Sequence, residues 1–386
     1  MRGIKSFTIN YNMLEQRPRI LFCMHMPPPV HGAAVVGQQI YDSKLFRDSY
    51  DCLYINASTS ASLGDVGRFS FKKITRTLSF YRQVMRAVRQ TQSDLVYFTP
   101  STSGWAFYRD AITISMLRQR KQNIVLHFHN KPTESFLHKW YNDCVWKCFF
   151  KGVSAIFLGE SLAKQFEKYT SLCKQVYICP NGMQDKLVKE HHSTQLDQAK
   201  PFTFLFLSNM IETKGVYVLL EACAQLKQKG YAFCCNFVGQ WFDVTKEAFN
   251  QKCEQLSITD CVQAYGGKFG EEKDALLQLA DALVFPTFYS AECLPLVLIE
   301  AMRRGVPCVT TSEGAISDIV VNGETGWIVE KRNASALAEK MQWLIDHPQE
   351  SLMMGQAGRK RYEQKFTLDV FERRMTEILT ECVKNG

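Results

Sequence analysis

Nowhere in the 386-residue sequence does an uninterrupted apolar run reach the ~18 residues a spanning helix needs, so no transmembrane segment is expected. The opening residues Met1-Arg-Gly-Ile-Lys-Ser have no long apolar stretch behind their positive charges, so a secretory signal is not expected either. None of the 14 cysteines forms a Cys-x-x-Cys pair. That spacing argues against a zinc site, and scattered thiols suit a reducing cytosol where they serve as small buried hydrophobes. Neither a P-loop nor a Gly-x-Gly-x-x-Gly segment occurs, which leaves the usual NTPase and dinucleotide readings without support. What is present is ordinary globular material, 46% hydrophobic and 22% charged, and its length suggests two domains. Disorder, collagen-like sequence and a small disulfide scaffold are excluded.

Acidic residues are scarce in the first half. Residues 1–195 carry 26 Lys and Arg against 13 Asp and Glu, whereas the remainder carries 20 against 25. A basic half joined to an acidic half suggests domains that meet different partners. The densest basic stretch, 68–89, holds Arg68, Lys72, Lys73, Arg76, Arg82, Arg86 and Arg89 without an acid. Phe69, Phe71, Ile74, Leu78, Phe80, Tyr81, Val84 and Met85 are interleaved at roughly helical spacing. Such a helix can attract an anionic membrane surface or a polyanion; alternatively its apolar side is simply core. No nucleic-acid motif accompanies it, so nucleic acid is not an expected partner.

Short β-branched and aromatic runs alternate with amphipathic stretches of helical length, the pattern of parallel βαβ units. The first half places strands at 20–24, 53–56, 95–99, 124–129, 155–158 and 176–179. The polar segment 186–200 reads as a linker. Alternation then restarts at 202–207, 233–238, 262–265, 282–286, 308–310 and 326–329, and the tail 334–382 reads as helices only. The fold class is therefore α/β, with two Rossmann-like doubly wound parallel sheets facing a cleft where a ligand would bind beyond the strand carboxyl ends.

Several segments can carry chemistry. Pro27-Pro-Pro marks a rigid loop after the first strand, and Gly32 opens the helix that follows, leaving backbone donors approachable. An ordinary βα turn would look the same. His127 and His129 sit two apart and share one face of a strand, but no third ligand follows for a metal, and structural histidines would read likewise. Lys214 stands at a helix start after the 202–207 strand, where it and the helix dipole suit a phosphate. The most specific segment runs from Val284 to Met302. There Glu292 lies in the loop before an apolar helix beginning near Leu294, and Glu300 lies inside that helix. A carboxylate among Leu296, Val297, Ile299 and Met302 is unfavourable without donors, and a sugar diol supplies them, while the free amides of the first turn suit a diphosphate.

With these residues in order, the chain resembles the retaining glycosyltransferases of the large family 4, or group 1, which have GT-B architecture. The resemblance rests on Glu292 and Glu300 in a Glu-x7-Glu segment, followed by Gly305-Val-Pro-Cys-Val309, Gly314-Ala-Ile-Ser-Asp-Ile-Val320 and Asn322-Gly-Glu-Thr-Gly326. Upstream, Pro180-Asn-Gly-Met183 and Thr213-Lys-Gly215 match as well. It is strong over about 176–330 and looser before. The resemblance implies an amino-terminal acceptor-side domain over 1–190, onto which a terminal helix at 366–386 crosses back. A donor domain would span 191–365. It further implies that Glu300 bonds the ribose, Glu292 the donor sugar, and Lys214 the leaving diphosphate, with amides of Leu296 and Val297 assisting; Pro295 has no N–H. His129, or His127, would lie under the sugar, and Gly32 near the diphosphate. Neither metal nor cofactor is implied, which agrees with the lack of an Asp-x-Asp segment.

In place of an arginine common in that family this chain has Asn209, with Arg19, Lys268 and Lys131 as candidate compensating cations. The expected activity is metal-independent, retaining, hexosyltransferase-type transfer from a nucleoside-diphosphate sugar. The acceptor would be a glycan or lipid-linked hydroxyl in surface polysaccharide, lipopolysaccharide or glycolipid assembly. The location would be cytoplasmic, peripheral at the inner membrane face. A non-catalytic nucleotide-sugar binder or partner subunit, or a sugar-nucleotide epimerase of the same architecture, are the alternatives.

Overall fold

The computed structural model describes residues 17–28, 32–57, 71–185 and 200–386, with the backbone alone over 71–76. The first six strands are β1 (Arg19–Met24), β2 (Asp51–Asn56), β3 (Leu95–Phe98), β4 (Ile124–Phe128), β5 (Ser154–Phe157) and β6 (Gln175–Ile178). Their helices are α1 (Gly32–Asp42), α2 (Lys44–Ser49), α3 (Phe71–Thr91), α4 (Gly104–Gln119), α5 (Glu134–Leu137), α6 (Trp140–Phe150), α7 (Glu160–Gln165) and α8 (Glu167–Thr170). The second set comprises β7 (Phe202–Leu207), β8 (Phe233–Val238), β9 (Val262–Ala264), β10 (Ala282–Phe285), β11 (Cys308–Thr311) and β12 (Gly326–Val329). It alternates with α9 (Val216–Gln228), α10 (Lys246–Gln255), α11 (Gly270–Gln278), α12 (Leu296–Arg304) and α13 (Ile316–Ile319). Three helices close the chain: α14 (Ala334–Asp346), α15 (Pro348–Lys365) and α16 (Leu368–Lys384).

Each set forms one six-stranded sheet, in the orders β2-β1-β3-β4-β5-β6 and β12-β11-β10-β7-β8-β9. Every pairing is parallel. Burial on both faces explains the unbroken apolar runs: Ile20, Leu21, Phe22, Cys23 and Met24 are all fully buried. The strand order reverses between β1 and β3 in one sheet and between β7 and β10 in the other. Loops diverge at such switch points and open a crevice there.

The two faces of the first sheet are covered differently. Leu21 and Cys23 pack with Phe80, Val84, Ile114 and Trp146 of α3, α4 and α6. Ile20, Phe22 and Met24 instead meet Val36 and Ile40 of α1 together with Phe371, Met375, Ile378 and Leu379 of α16. The carboxyl-terminal helix thus lies on the first sheet, where Thr367 caps its start by accepting from Val370 N. Just before it the chain runs alongside 180–185: Met183 N donates to Phe366 O at 2.9 Å, and Leu368 N to Met183 O at 2.9 Å.

Three local expectations shift. Thr99, His129, Leu158, Cys179, Tyr265 and Pro286, placed at strand ends by the apolar pattern, each lie one residue past the end. The helix expected near Leu294 begins at Leu296, because Pro295 holds extended backbone and forms the N-cap. The 68–89 helix is α3, shifted to Phe71–Thr91. Arg68 and Phe69, and the side chains of Phe71, Lys72, Lys73, Ile74 and Arg76, lie outside the described residues, as do most of the expected linker and the 190/191 boundary. Of the rest, Phe80, Val84, Met85 and Val88 are core, whereas Leu78 is half exposed and Arg82, Arg86 and Arg89 face outward. All 14 cysteines are free thiols. Burial pushes Cys179, Cys293 and Cys308 up to about 12, so these remain protonated and serve as packing.

Candidate active site

The loops after β7, β10 and β11 are stitched together, and this fixes the second domain's wall of the cleft. Phe288 N donates to Thr213 O at 2.8 Å, joining the loop after β10 to the one carrying Lys214. Gly215 takes a left-handed backbone at φ 90°, and a Cβ there would stand 2.3 Å from Pro286 O, so only glycine permits this approach. On the other side Ala315 N donates to Cys293 O at 2.7 Å. A Cβ on Gly314 would sit 2.3 Å from Glu292 O.

Held between these loops, Glu292 is buried and accepts from Lys214 Nζ at 2.5 Å and from Thr287 Oγ1 at 3.3 Å. The ammonium lies 4.6 Å from the centroid of Tyr289 and 5.5 Å from that of Phe285. One turn into α12, Glu300 receives Lys273 Nζ on Oε1 at 2.7 Å. Its Oε2 is buried and has no partner among the described residues. The amides of Leu296 and Val297 belong to the first turn of α12, where no intrahelical acceptor exists. Leu296, Glu300, Lys273 and Arg303 line a cavity of about 810 Å³ whose other wall includes Pro27, Val35, Val36 and Gln39 around α1. Of the residues expected to bind donor, Leu296 and Glu300 line this cavity, whereas Lys214 and Glu292 pair with each other in the loops before α12, and Lys214, Glu292, Val297, Gly32, His127 and His129 are not among its lining residues.

From the first sheet, His127 and His129 reach the carboxyl end of β4 with ring centroids 4.0 Å apart. Burial pushes the Tyr97 hydroxyl well above its ordinary range, so it keeps its proton, and it is hydrogen-bonded to His127 Nδ1 at 2.6 Å. Burial, and then the neighbouring His129, hold His127 well below the usual imidazole value. His127 is therefore neutral. His129, one residue past the strand and nearly buried, is the outer of the two. Among the described residues no group of three or more His, Cys, Asp or Glu is placed to hold a metal.

The candidate cations differ from expectation. Arg19 is not at the cleft: it bonds Asp51 at 2.6 Å at the start of β1, and in a parallel sheet that is the end opposite the ligand loops. Lys268 is bound by Glu272 at 2.9 Å. Lys131 is buried between the sheets, 2.5 Å from Glu313 Oε1 beyond β11, while Lys331 takes the other oxygen at 2.7 Å. Asn209 is exposed in the loop after β7, and Gly32 is the exposed first residue of α1. Lys273 is the residue that sequence reasoning missed, because a charged helix such as Gly270–Gln278 reads as a solvated face.

Comparison with known proteins agrees with this fold. The family described as glycosyl transferases group 1 matches residues 188–361, which span the second sheet. The putative colanic acid biosynthesis glycosyltransferase WcaL of Salmonella typhimurium is 28% identical over 215 residues, covering 54% of this chain and 52% of that protein. The chain spans about half the length of the curated relatives it matches. Among solved structures, sucrose-phosphate synthase of Thermosynechococcus elongatus superposes with a TM-score of 0.72 at 18% identity, over 96% of this chain and 100% of the other. HepE of Anabaena in complex with UDP gives 0.72 at 17%, over 94% and 100%. The molecule has GT-B architecture. The second half of the chain is similar to the group 1 glycosyl transferases over residues 188–361.

Proposed function

We propose that the chain transfers a sugar from a nucleoside-diphosphate donor to an acceptor hydroxyl, retaining the anomeric configuration and using no metal, in the assembly of surface polysaccharide or glycolipid. One observation carries this reading: Lys214 and Glu292 touch each other just before α12, while Glu300, inside that helix, keeps a buried oxygen without a partner among the described residues. Breaking the anomeric bond leaves positive charge on the sugar ring and negative charge on the diphosphate. Lys214 and the amides of Leu296 and Val297 stabilise the second of these, so they bind the transition state more strongly than the ground state. Donor binding exchanges the Lys214–Glu292 pair for two contacts, ammonium to phosphate and carboxylate to sugar hydroxyl. Glu300 Oε2 accepts from the ribose, and His129 lies under the sugar from the opposite wall. The names of the matched relatives, one of them for colanic acid biosynthesis, support the polysaccharide setting.

A thermal-shift screen against UDP, GDP, ADP, CMP and their sugars tests the donor site. One nucleoside diphosphate is expected to stabilise the fold with EDTA present, by about 2.7 kcal/mol at a hundredfold excess over Kd. Absence of any shift, together with absence of donor hydrolysis, would contradict it. A binder without transfer activity is the reading Asn209 favours, since its side chain leaves Lys214 as that loop's only family-matched cation; transfer that disappears in Lys214→Ala and Glu292→Gln decides against it.

An acceptor on a lipid carrier would bring the first domain to an anionic membrane. The outer face of α3, α4 and α6 supports this with Trp105, Ile112 and Trp140, which are 78%, 59% and 84% exposed. Arg82, Arg86, Arg89 and Arg120, from α3 and the end of α4, line a groove of about 400 Å³. Among the described residues no helix is long and apolar enough to cross a membrane, so contact would be peripheral. Binding to anionic vesicles is expected at low salt, weakened by 0.5 M salt on the order of a Debye-screened interaction and by Trp140→Ser. Equal binding to neutral vesicles would contradict it.

A further inference from the structure

We infer that Lys273 is a positioning residue for nucleotide recognition: it engages one oxygen of Glu300 so that the other is presented to the ribose hydroxyls. The inference rests on the donor-site reading above and adds to it a residue from a different helix. Glu300 lies in α12 with its side chain only 13% exposed, and its two oxygens have different surroundings. Oε1 is held by Lys273 at 2.7 Å, whereas Oε2 is buried and has no partner among the described residues. A carboxylate free to rotate in an apolar helix would offer a ligand either oxygen, or neither in a fixed place. The ammonium removes that freedom and supplies the counter-charge that a buried carboxylate otherwise lacks.

The helix carrying Lys273 is itself fixed. Asp274, the next residue of α11, bonds Arg303 at 2.8 Å and Arg304 at 3.0 Å, both on α12. Arg303 also donates to Gln184 O at 3.1 Å, tying the pair of helices to the segment that crosses between the sheets. Lys273 lines the 810 Å³ cavity beside Glu300, with its side chain 28% exposed. It is therefore close enough to a bound nucleoside to matter and exposed enough to be replaced without opening the core. The pairing also explains how a helix as polar as Gly-Glu-Glu-Lys-Asp comes to form a wall of the site.

The test is calorimetric titration with UDP, GDP and ADP, each compared with its 2′,3′-dideoxy form. A hydrogen bond to a charged group predicts that the wild type prefers the ribonucleotide by about 10- to 100-fold. Glu300→Gln should reduce that preference, and Lys273→Met should reduce it to less than about threefold while lowering the melting temperature, because the buried Glu300 carboxylate loses its counter-charge; Lys273→Arg keeps most of the preference. Asp274→Asn, which loosens the helix pair without touching Glu300, should keep the preference. If Glu300→Gln loses the preference and Lys273→Met does not, the positioning role is overturned while the donor-site reading stands. The positioning role is equally overturned if Asp274→Asn matches the loss seen for Lys273→Met. If the wild type itself shows no preference, the ribose contact fails, and the positioning role with it.

Discussion

Replacing Lys214 with alanine is expected to slow sugar transfer about 10²–10³-fold, the range seen when one preorganised donor to a developing negative charge is removed. The effect should fall mainly on kcat, because the leaving diphosphate is more negative in the transition state than in the bound donor. Two features of this chain sharpen the expectation. Asn209 brings no charge to the same loop, so Lys214 has no neighbouring cation there to share the load. Of the other candidate cations, Arg19 lies at the wrong end of its sheet and Lys131 is held by Glu313. Lys214 also neutralises Glu292, which is 8% exposed, and truncation leaves that carboxylate with Thr287 alone. Lys214→Ala should therefore lower stability as well, whereas Lys214→Ala combined with Glu292→Gln should recover stability but not rate. A rate within threefold of wild type for Lys214→Ala would sink the assignment.

The second large effect belongs to Glu313. It joins the two sheets through Lys131, whose side chain is 7% exposed, and draws in Lys331 on its other oxygen. Glu313→Gln would leave the Lys131 ammonium buried without a counter-charge, at a cost of about 3 kcal/mol. Lys331, 41% exposed, can return to water. Burial alone would raise the Glu313 carboxyl, but hydrogen bonds from Lys131 and Lys331 outweigh it and hold the group below its ordinary 4.5. A carboxylate depressed on folding contributes stability above its unfolded value and loses it as pH falls through the folded one. Melting temperature should thus fall in wild type as pH drops below about 4.5, and this acid limb should be shallower in Glu313→Gln. The charge-reversed pair Lys131→Glu with Glu313→Lys should recover part of the loss. An unchanged melting temperature and acid limb in Glu313→Gln would show that the pair does not hold the sheets together.

The sheets were legible because parallel strands are buried on both faces and therefore appear as unbroken apolar runs. Ile20 to Met24 and Phe204 to Leu207 need no periodicity to be found. Strand ends were less legible, since His129 and Pro286 continue the apolar pattern while the backbone has already turned toward the cleft. In α3, helical spacing did identify the core stripe of Phe80, Val84 and Met85, but could not say that Leu78 would stay outside it. Lys214, Glu292 and Glu300 could be singled out because each lies at a βα junction or inside an apolar helix, where a charge calls for a reason. The pairs Lys273–Glu300 and Lys131–Glu313 could not, being separated by 27 and 182 residues. Contacts of that span depend on how α11 sits on α12 and how one sheet faces the other. Arg19 illustrates the converse: its charge was visible, but which end of the sheet it occupies follows only from strand direction.

The most direct measurement compares nucleoside monophosphate and diphosphate binding, by calorimetry in EDTA, in wild type, Lys214→Ala and Glu300→Gln. If this wall holds a nucleoside diphosphate, Lys214→Ala weakens the diphosphate by about tenfold or more and leaves the monophosphate nearly unchanged, whereas Glu300→Gln weakens both alike. Diphosphate and monophosphate affinities that stay at wild-type values in both variants would contradict it.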